Sequence, residues 1–354
     1  MATFRVALSG DFLNAHGEPA FPDFDLGPLE REPDLELSFL PQGGGGGGGE
    51  AIRAEDLEGL DALILLVPRM ARESFPGDGR LAVVARFGVG FDTVDVDACT
   101  DNGVALVTTP DGVRRPVATS VMTLMLALTM RLMDKDRITR RGPSGWADRS
   151  QYMGIGLVGR TLGSLGIGNI GAEVFRLARP FEMTFIAHDP YVDPALAADL
   201  GVRLVGLEEL FRESDVLTVN CPLNEQTRGL VNAERLALMR PTAYLINTAR
   251  GPIVDQRALY EALVEERIAG AGLDVFEHEP TPADEPILKL HNVIVTPHAL
   301  CFTDQCFAGI GAADVRAVLD VMHGRVPVGI VNRAIAERPE WRAKLERYRA
   351  AFGG

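Results

Sequence analysis

The apolar positions of this chain fall into short runs that alternate with stretches of helical period. Phe4 to Leu8 reads as a strand ending at Ser9-Gly10-Asp11, and Leu35 to Leu40 as another. Leu60 to Val67 is a buried strand stopped by Pro68. Leu81 to Phe87 runs into Gly88-Val89-Gly90-Phe91-Asp92, and Val104 to Val107 is stopped by Thr108-Thr109-Pro110-Asp111-Gly112. Strands separated by helical segments predict a parallel sheet with crossover helices. Val117 to Met133 predicts a long helix, apolar nearly all round and therefore buried on several sides, in the core or against a second subunit. Arg140-Arg141-Gly142-Pro143 and Trp146 read as a connecting loop. Beyond it the alternation resumes: helices at Leu207 to Arg212 and Gln256 to Glu266, strands at Val216 to Asn220, Ala243 to Asn247, Ala269 to Leu273 and Asn292 to Thr296. Helices from about Gln305 to His323 and from Pro339 to Phe352 close the chain.

The most informative stretch is Leu162 to Asp189. A strand at Leu162 to Ile167 meets Gly168-Asn169-Ile170-Gly171, a helical run from Ala172 to about Pro180, and a second strand at Thr184 to Ala187. Gly166, Gly168 and Gly171 make G-x-G-x-x-G in a strand–turn–helix–strand context, with Asp189 closing the second strand. That is the dinucleotide-binding βαβ fingerprint. Gly166 permits the tight turn, Gly168 lets the backbone approach a pyrophosphate, and Gly171 lets helix and strand pack closely. The helix N-terminus offers N–H groups and a positive dipole end to phosphates. Asp189 is placed to accept hydrogen bonds from ribose hydroxyls. An ordinary glycine-rich turn would not need this context.

Composition narrows the class. The 354 residues suffice for two domains, and the net charge of −14 argues against a nucleic-acid partner. Four cysteines, Cys99, Cys221, Cys301 and Cys306, form no C-x-x-C pair, so no metal site is expected. No signal peptide or membrane-length apolar run is visible, which predicts a cytoplasmic protein with no membrane partner. Gln42 is followed by seven glycines, Gly43 to Gly49, expected to form a flexible loop; it lacks the Lys-Ser/Thr ending of a phosphate loop.

Polar groups recur after strands, where open α/β sheets bind ligands. Arg250 brings a permanent charge that can hold a carboxylate bidentately. His298 is the natural acid/base near neutral pH. Glu279 can accept a hydrogen bond from it and favour imidazolium. Each taken alone could be a solvated or structural residue; together, on a dinucleotide fold, they describe a redox site.

Several stretches together resemble the D-isomer-specific 2-hydroxyacid dehydrogenase family. They are Gly88-Val89-Gly90-Phe91-Asp92, the glycine fingerprint, Cys221-Pro222-Leu223-Asn224 with Thr227, Ile246-Asn247-Thr248-Ala249-Arg250-Gly251, Leu273-Asp274-Val275-Phe276 with Glu279-Pro280, and Thr296-Pro297-His298. They run in the family's order over about residues 60–330. The resemblance implies an α/β fold of two domains. A Rossmann NAD-binding domain, residues 113–299, would be inserted in a flavodoxin-like substrate domain, residues 1–112 and 300–354, with the active site in the cleft between them. It implies Arg250 as the carboxylate arginine, His298 as acid/base and Glu279 as its partner, with the Val89 and Gly90 amides also holding the substrate carboxylate. Cofactor contacts would come from Gly166, Gly168, Asn169, Ile170, Gly171, Asp189 on the adenosine ribose, Cys221, Pro222, Thr227, Thr248, Ala249, Asp274 on the nicotinamide carboxamide, and His298. The cofactor would be NAD, the substrate a small 2-oxo or D-2-hydroxy acid, and the assembly a homodimer with the long helix at its interface.

The pattern departs from the family's at Thr108, where asparagine is common, at Thr119, where a glutamate is usual, and at Leu300-Cys301-Phe302, where small residues often stand. Glyoxylate or hydroxypyruvate is the leading substrate expectation. 3-Phosphoglycerate is the second, with Arg69, Arg72, Arg114 and Arg115 as phosphate ligands. A nucleotide-sensing, corepressor-like binding protein on the same scaffold is the alternative to an enzyme; a purely structural oligomer is disfavoured by the fingerprint.

Overall fold

The computed structural model describes residues 2–41 and 51–353. The Gly43 to Gly49 tract lies outside the described residues. The chain divides into two compact units, Met1–Val113 with Phe302–Gly354, and Arg114–Cys301.

The first unit holds a five-stranded parallel sheet. Its strands are β1 (Phe4–Leu8), β2 (Leu35–Phe39), β3 (Ala62–Leu65), β4 (Val83–Arg86) and β5 (Ala105–Thr108). They lie in the order β2-β1-β3-β4-β5. That is the flavodoxin-like order, whose reversal of direction falls between β1 and β3. β3 is buried at every position, as expected of a central parallel strand covered on both faces. The unit is discontinuous because the chain's last segment returns to it. Fully buried Trp341 donates from its indole nitrogen to Ala82 O at 3.0 Å. Lys344 Nζ donates to Leu81 O at 2.6 Å and Gly103 O at 2.8 Å, and the Tyr348 hydroxyl to Asp61 at 2.8 Å. Each of these polar tips finds a partner, which burial would otherwise penalise.

The second unit holds seven parallel strands: β6 (Thr161–Leu165), β7 (Thr184–His188), β8 (Val202–Leu204), β9 (Val216–Val219), β10 (Tyr244–Asn247), β11 (Gly270–Leu273) and β12 (Val293–Val295). Their order, β12-β11-β10-β9-β6-β7-β8, is the Rossmann 3-2-1-4-5-6 pattern with one strand added at the edge. The switch point lies between β6 and β9. Two apolar cores flank the sheet, one centred on Leu245, Leu259 and Ile287, the other on Val121, Met125, Phe175 and Phe185.

Three expectations needed correction. The long helix runs from Pro110 to Thr129 rather than from Val117 to Met133. Pro110 at its first position and Asp111 in its first turn start it early, inside what reads as a loop. It stops at Thr129, whose carbonyl accepts the Ile155 amide at 2.8 Å from outside the helix. Arg131 then adopts a left-handed backbone, φ 51°, and a new helix runs over Leu132–Thr139. The segment read as a connecting loop holds a short helix, Pro143–Ala147. Finally, β8 and the preceding helix Pro194–Leu200 escaped the pattern, being too short for a period to show.

Candidate active site

In the second unit the described site residues gather at one edge of the sheet, because parallel strands all present their C-terminal ends there. Gly166 follows β6, Asp189 follows β7, Cys221 and Pro222 follow β9 by one turn, Thr248 to Arg250 follow β10, Asp274 follows β11, and Thr296 to His298 follow β12.

The glycine turn is built as its spacing requires. Gly166 has φ +90°, a conformation side chains disfavour, and a Cβ there would also press on the Asn220 carbonyl at 3.0 Å. A Cβ on Gly171 would lie 2.5 Å from Gly166 O, so the helix Asn169–Ala178 could not sit this close to its strand. At Gly168 the space is open within 4 Å, which leaves the helix N-terminus accessible to a pyrophosphate. A hydrogen-bond chain absent from the fingerprint pins this turn: Asn220 Nδ2 donates to Ser164 Oγ at 2.9 Å, and Ser164 Oγ to Gly166 O at 2.6 Å. Asp189 accepts from the Ile167 amide and the Tyr191 amide, both at 2.9 Å, so its carboxylate is held in a fixed position. Burial pushes the Cys221 thiol up to about 11, with Asp189 adding to the effect; the thiol is therefore protonated and chemically quiet. Thr227 closes the neighbouring loop, its hydroxyl donating to Pro222 O at 2.6 Å. Two polar atoms at this edge, Thr248 Oγ1 and Asn220 Oδ1, are buried without a protein partner. Open helix end, fixed carboxylate and unsatisfied polar atoms together fit a dinucleotide.

His298 and Glu279 are in contact. His298 Nδ1 lies 2.8 Å from Glu279 Oε2, and Glu279 Oε1 accepts the Phe276 amide at 2.9 Å. Partial burial acts to raise the Glu279 carboxyl, but His298, the Phe276 amide and the Arg250 charge outweigh it and hold the group below the usual carboxylate range. With Nδ1 engaged by Glu279, Nε2 is the ring nitrogen left for a ligand. His298 itself has φ 54°, left-handed backbone that costs a non-glycine residue about 1–3 kcal/mol and clusters at functional sites. The strain is held by Asp274, whose Oδ1 accepts the Thr296 hydroxyl at 2.6 Å and the amides of Ala299 and Leu300 at 3.0 and 3.2 Å. Sequence reading gave Asp274 a cofactor role and missed this one; the signal was present in Thr296, a hydroxyl one turn from the histidine. Arg250 sits beside the pair, its Nη1 donating to Ala249 O at 2.7 Å.

Val89 and Gly90 belong to the first unit, in the loop after β4. Thr109 clamps that loop, donating to Gly88 O from its amide and hydroxyl at 2.9 and 3.1 Å and accepting the Gly88 amide at 3.1 Å. Of the departures, Thr108 O would lie 2.4 Å from a Cβ on Gly329, and exposed Thr119 hydrogen-bonds back to Arg115 O. Arg72 is tied to Asp101 at 2.9 Å and Arg115 to Glu173 at 2.8 Å, so two of the four arginines considered for a phosphate are already paired with carboxylates.

A Rossmann sheet with a glycine turn open at its helix N-terminus defines a dinucleotide-binding protein. Residues 122–299 match the family model for the NAD-binding domain of D-isomer specific 2-hydroxyacid dehydrogenases. The glyoxylate reductase of Korarchaeum cryptofilum is 38% identical over 285 residues, which are 80% of this chain and 86% of that protein. The D-3-phosphoglycerate dehydrogenase of Methanocaldococcus jannaschii is 39% identical over 276 residues, 77% of this chain but only 52% of that longer protein. Among solved structures, the D-lactate dehydrogenase of Aquifex aeolicus, complexed with NAD and lactic acid, superposes with a TM-score of 0.75 at 28% identity, covering 90% of this chain and 96% of that one. The chain belongs to the D-isomer specific 2-hydroxyacid dehydrogenase family. It is an NAD-dependent 2-hydroxyacid oxidoreductase.

Proposed function

We propose that the enzyme reduces a 2-oxo acid to the D-2-hydroxy acid, with His298 as proton donor, Glu279 as its partner and Arg250 as the carboxylate ligand. The observation that carries this reading is the His298–Glu279 contact of 2.8 Å, made on a strained turn at the cofactor edge. When bound, NADH supplies a hydride, two electrons and one proton nucleus, to the carbonyl carbon. Protonated His298 gives the second proton to the carbonyl oxygen as its π bond breaks, so NADH, one proton and the oxo acid become NAD+ and the hydroxy acid. Glu279 fixes the ring through its contact with Nδ1. Arg250, with the Val89 and Gly90 amides, orients the carboxylate, and its charge stabilises the developing alkoxide. Gly166, Gly168, Asn169, Ile170 and Gly171 would meet the pyrophosphate, Asp189 the ribose, Cys221, Pro222, Thr227, Thr248 and Ala249 the remaining cofactor, and Asp274 would hold both His298 and the nicotinamide side. The glyoxylate reductases among the relatives support a small 2-oxo acid; the paired states of Arg72 and Arg115 weigh against a phosphorylated one. NADH oxidation across short 2-oxo acids tests the reading, and a panel with no turnover overturns it.

If the fixed Asp189 carboxylate is the ribose ligand proposed above, it repels a 2′-phosphate, and kcat/KM with NADH should exceed that with NADPH by at least about tenfold. Steady-state rates with both cofactors measure it; parity would show that the adenosine end binds elsewhere.

We further propose a homodimer. Exposed Leu132, Met133, Trp146, Met153 and Val158 lie within one stretch of the second unit. Beside them is a cavity of about 380 Å³ lined by Leu128, Arg131, Met133, Met153, Tyr244 and Ile294. Tyr244 opens β10, so this cavity is at the N-terminal edge of the sheet, opposite the chemistry. An apolar surface so placed suits a partner subunit. Light scattering should give twice 38.2 kDa, and Leu132→Glu with Met133→Glu should shift the protein toward one copy. A monomeric parent protein would end this proposal. The four cysteines form no disulfide among the described residues, which supports a cytoplasmic location.

A further inference from the structure

We propose that the first unit recognises the substrate's side chain through a wall of phenylalanine rings, and that the preferred substrates are 2-oxo acids carrying an aromatic ring, the arylpyruvate class. This rests on the 2-oxo acid reduction proposed above and names the substrate more closely.

The wall stands at the C-terminal edge of the first sheet, the edge at which open α/β sheets bind ligands. Phe12 follows β1 and Phe87 follows β4, directly before the Gly88-Val89-Gly90 loop. Their rings meet edge to face at 5.2 Å. Phe24 lies 5.1 Å and Phe307 5.5 Å from Phe87. Phe21 stacks on Phe307 at 4.4 Å, and Phe302 meets Phe307 edge-on at 4.9 Å. The inner four rings are buried, yet Phe302 remains 49% exposed. A lone exposed phenylalanine means little. Here it is the outer ring of a continuous aromatic cluster, and two further large apolar residues in loops of the same edge, Val67 and Phe91, are exposed as well. Phe302 lies four positions after His298 in the chain.

The polar groups at this edge select against a charged side chain. The Asp11 carboxylate accepts the Ser9 hydroxyl at 2.5 Å and the Val67 amide at 2.9 Å, which fixes an acidic group between the loops after β1 and β3. Arg86, the cation nearest the Gly88 loop, is turned back to donate to Phe87 O. An aromatic side chain gains apolar burial and edge-to-face contact on such a wall; a phosphate or second carboxylate meets Asp11.

Burying a phenyl group against apolar surface is worth roughly ten- to a hundredfold in kcat/KM. The test compares phenylpyruvate, glyoxylate and phosphohydroxypyruvate as substrates with NADH. Phenylpyruvate should exceed glyoxylate by at least about tenfold. Phe302→Ala should cut that ratio by about tenfold, and Phe302→Leu, which keeps apolar bulk, should restore part of it. Turnover of glyoxylate with no gain for phenylpyruvate overturns the aromatic assignment and leaves 2-oxo acid reduction standing. A preference for phosphohydroxypyruvate, which exposed Arg69 could serve, overturns it equally. No turnover of any 2-oxo acid removes both.

Discussion

Replacing His298 by asparagine lowers kcat for 2-oxo acid reduction by at least about 10²-fold, with NADH binding retained. Asparagine keeps a polar side chain of similar reach but cannot titrate. The turn that carries residue 298 is held from outside, by the three hydrogen bonds into Asp274 Oδ1, so the substitution removes the proton donor without dismantling the loop. Stopped-flow reduction and a fluorescence titration with NADH separate the two effects. The limb of the pH–rate profile that reports proton donation should vanish with it. Glu279→Gln should lower kcat with NADH binding retained, since the charged partner of the His298 ring is gone. Glu279 itself is held below the usual carboxylate range. The sign follows: the stability this carboxylate contributes is full above its unfolded pKa and is lost as pH falls through its depressed folded value. Near-normal turnover in His298→Asn, with the same pH limb, would make His298 a structural histidine.

Arg250→Lys should raise KM for the 2-oxo acid by about ten- to a hundredfold while NADH affinity barely changes. Lysine preserves the charge but loses the planar fork that meets both carboxylate oxygens. Arg250 also lends charge to Glu279, so kcat is expected to fall with the carboxylate misplaced. An unchanged KM would show that the carboxylate is bound elsewhere.

Much of this was legible in the chain, and the limits were physical. The β6–turn–helix–β7 unit could be read because its glycines are forced: a Cβ at Gly171 would strike Gly166 O at 2.5 Å. The C-terminal end of the long helix could not, because its last carbonyl is met by the distant Ile155 amide, which apolar period does not show. β8 is too short for alternation to show. The acid/base residues were legible as types. That Asp274 holds the histidine's turn was not, since its three partners are brought together only by the pairing of β11 with β12. The six phenylalanines are scattered from Phe12 to Phe307 and become one object only through the fold.

The return of the last helix to the first sheet also bears on how the first unit folds. The second unit is one uninterrupted stretch, Arg114–Cys301, that holds every strand of its own sheet. The first unit is different. Ala82 O, Leu81 O and Gly103 O await Trp341 and Lys344, the side chains that satisfy them in the finished protein. Without those residues the first unit's sheet lacks these contacts. Loop closure over such sequence separations is slow, so docking of the helix Pro339–Phe352 is expected to be a late step in the folding of the first unit.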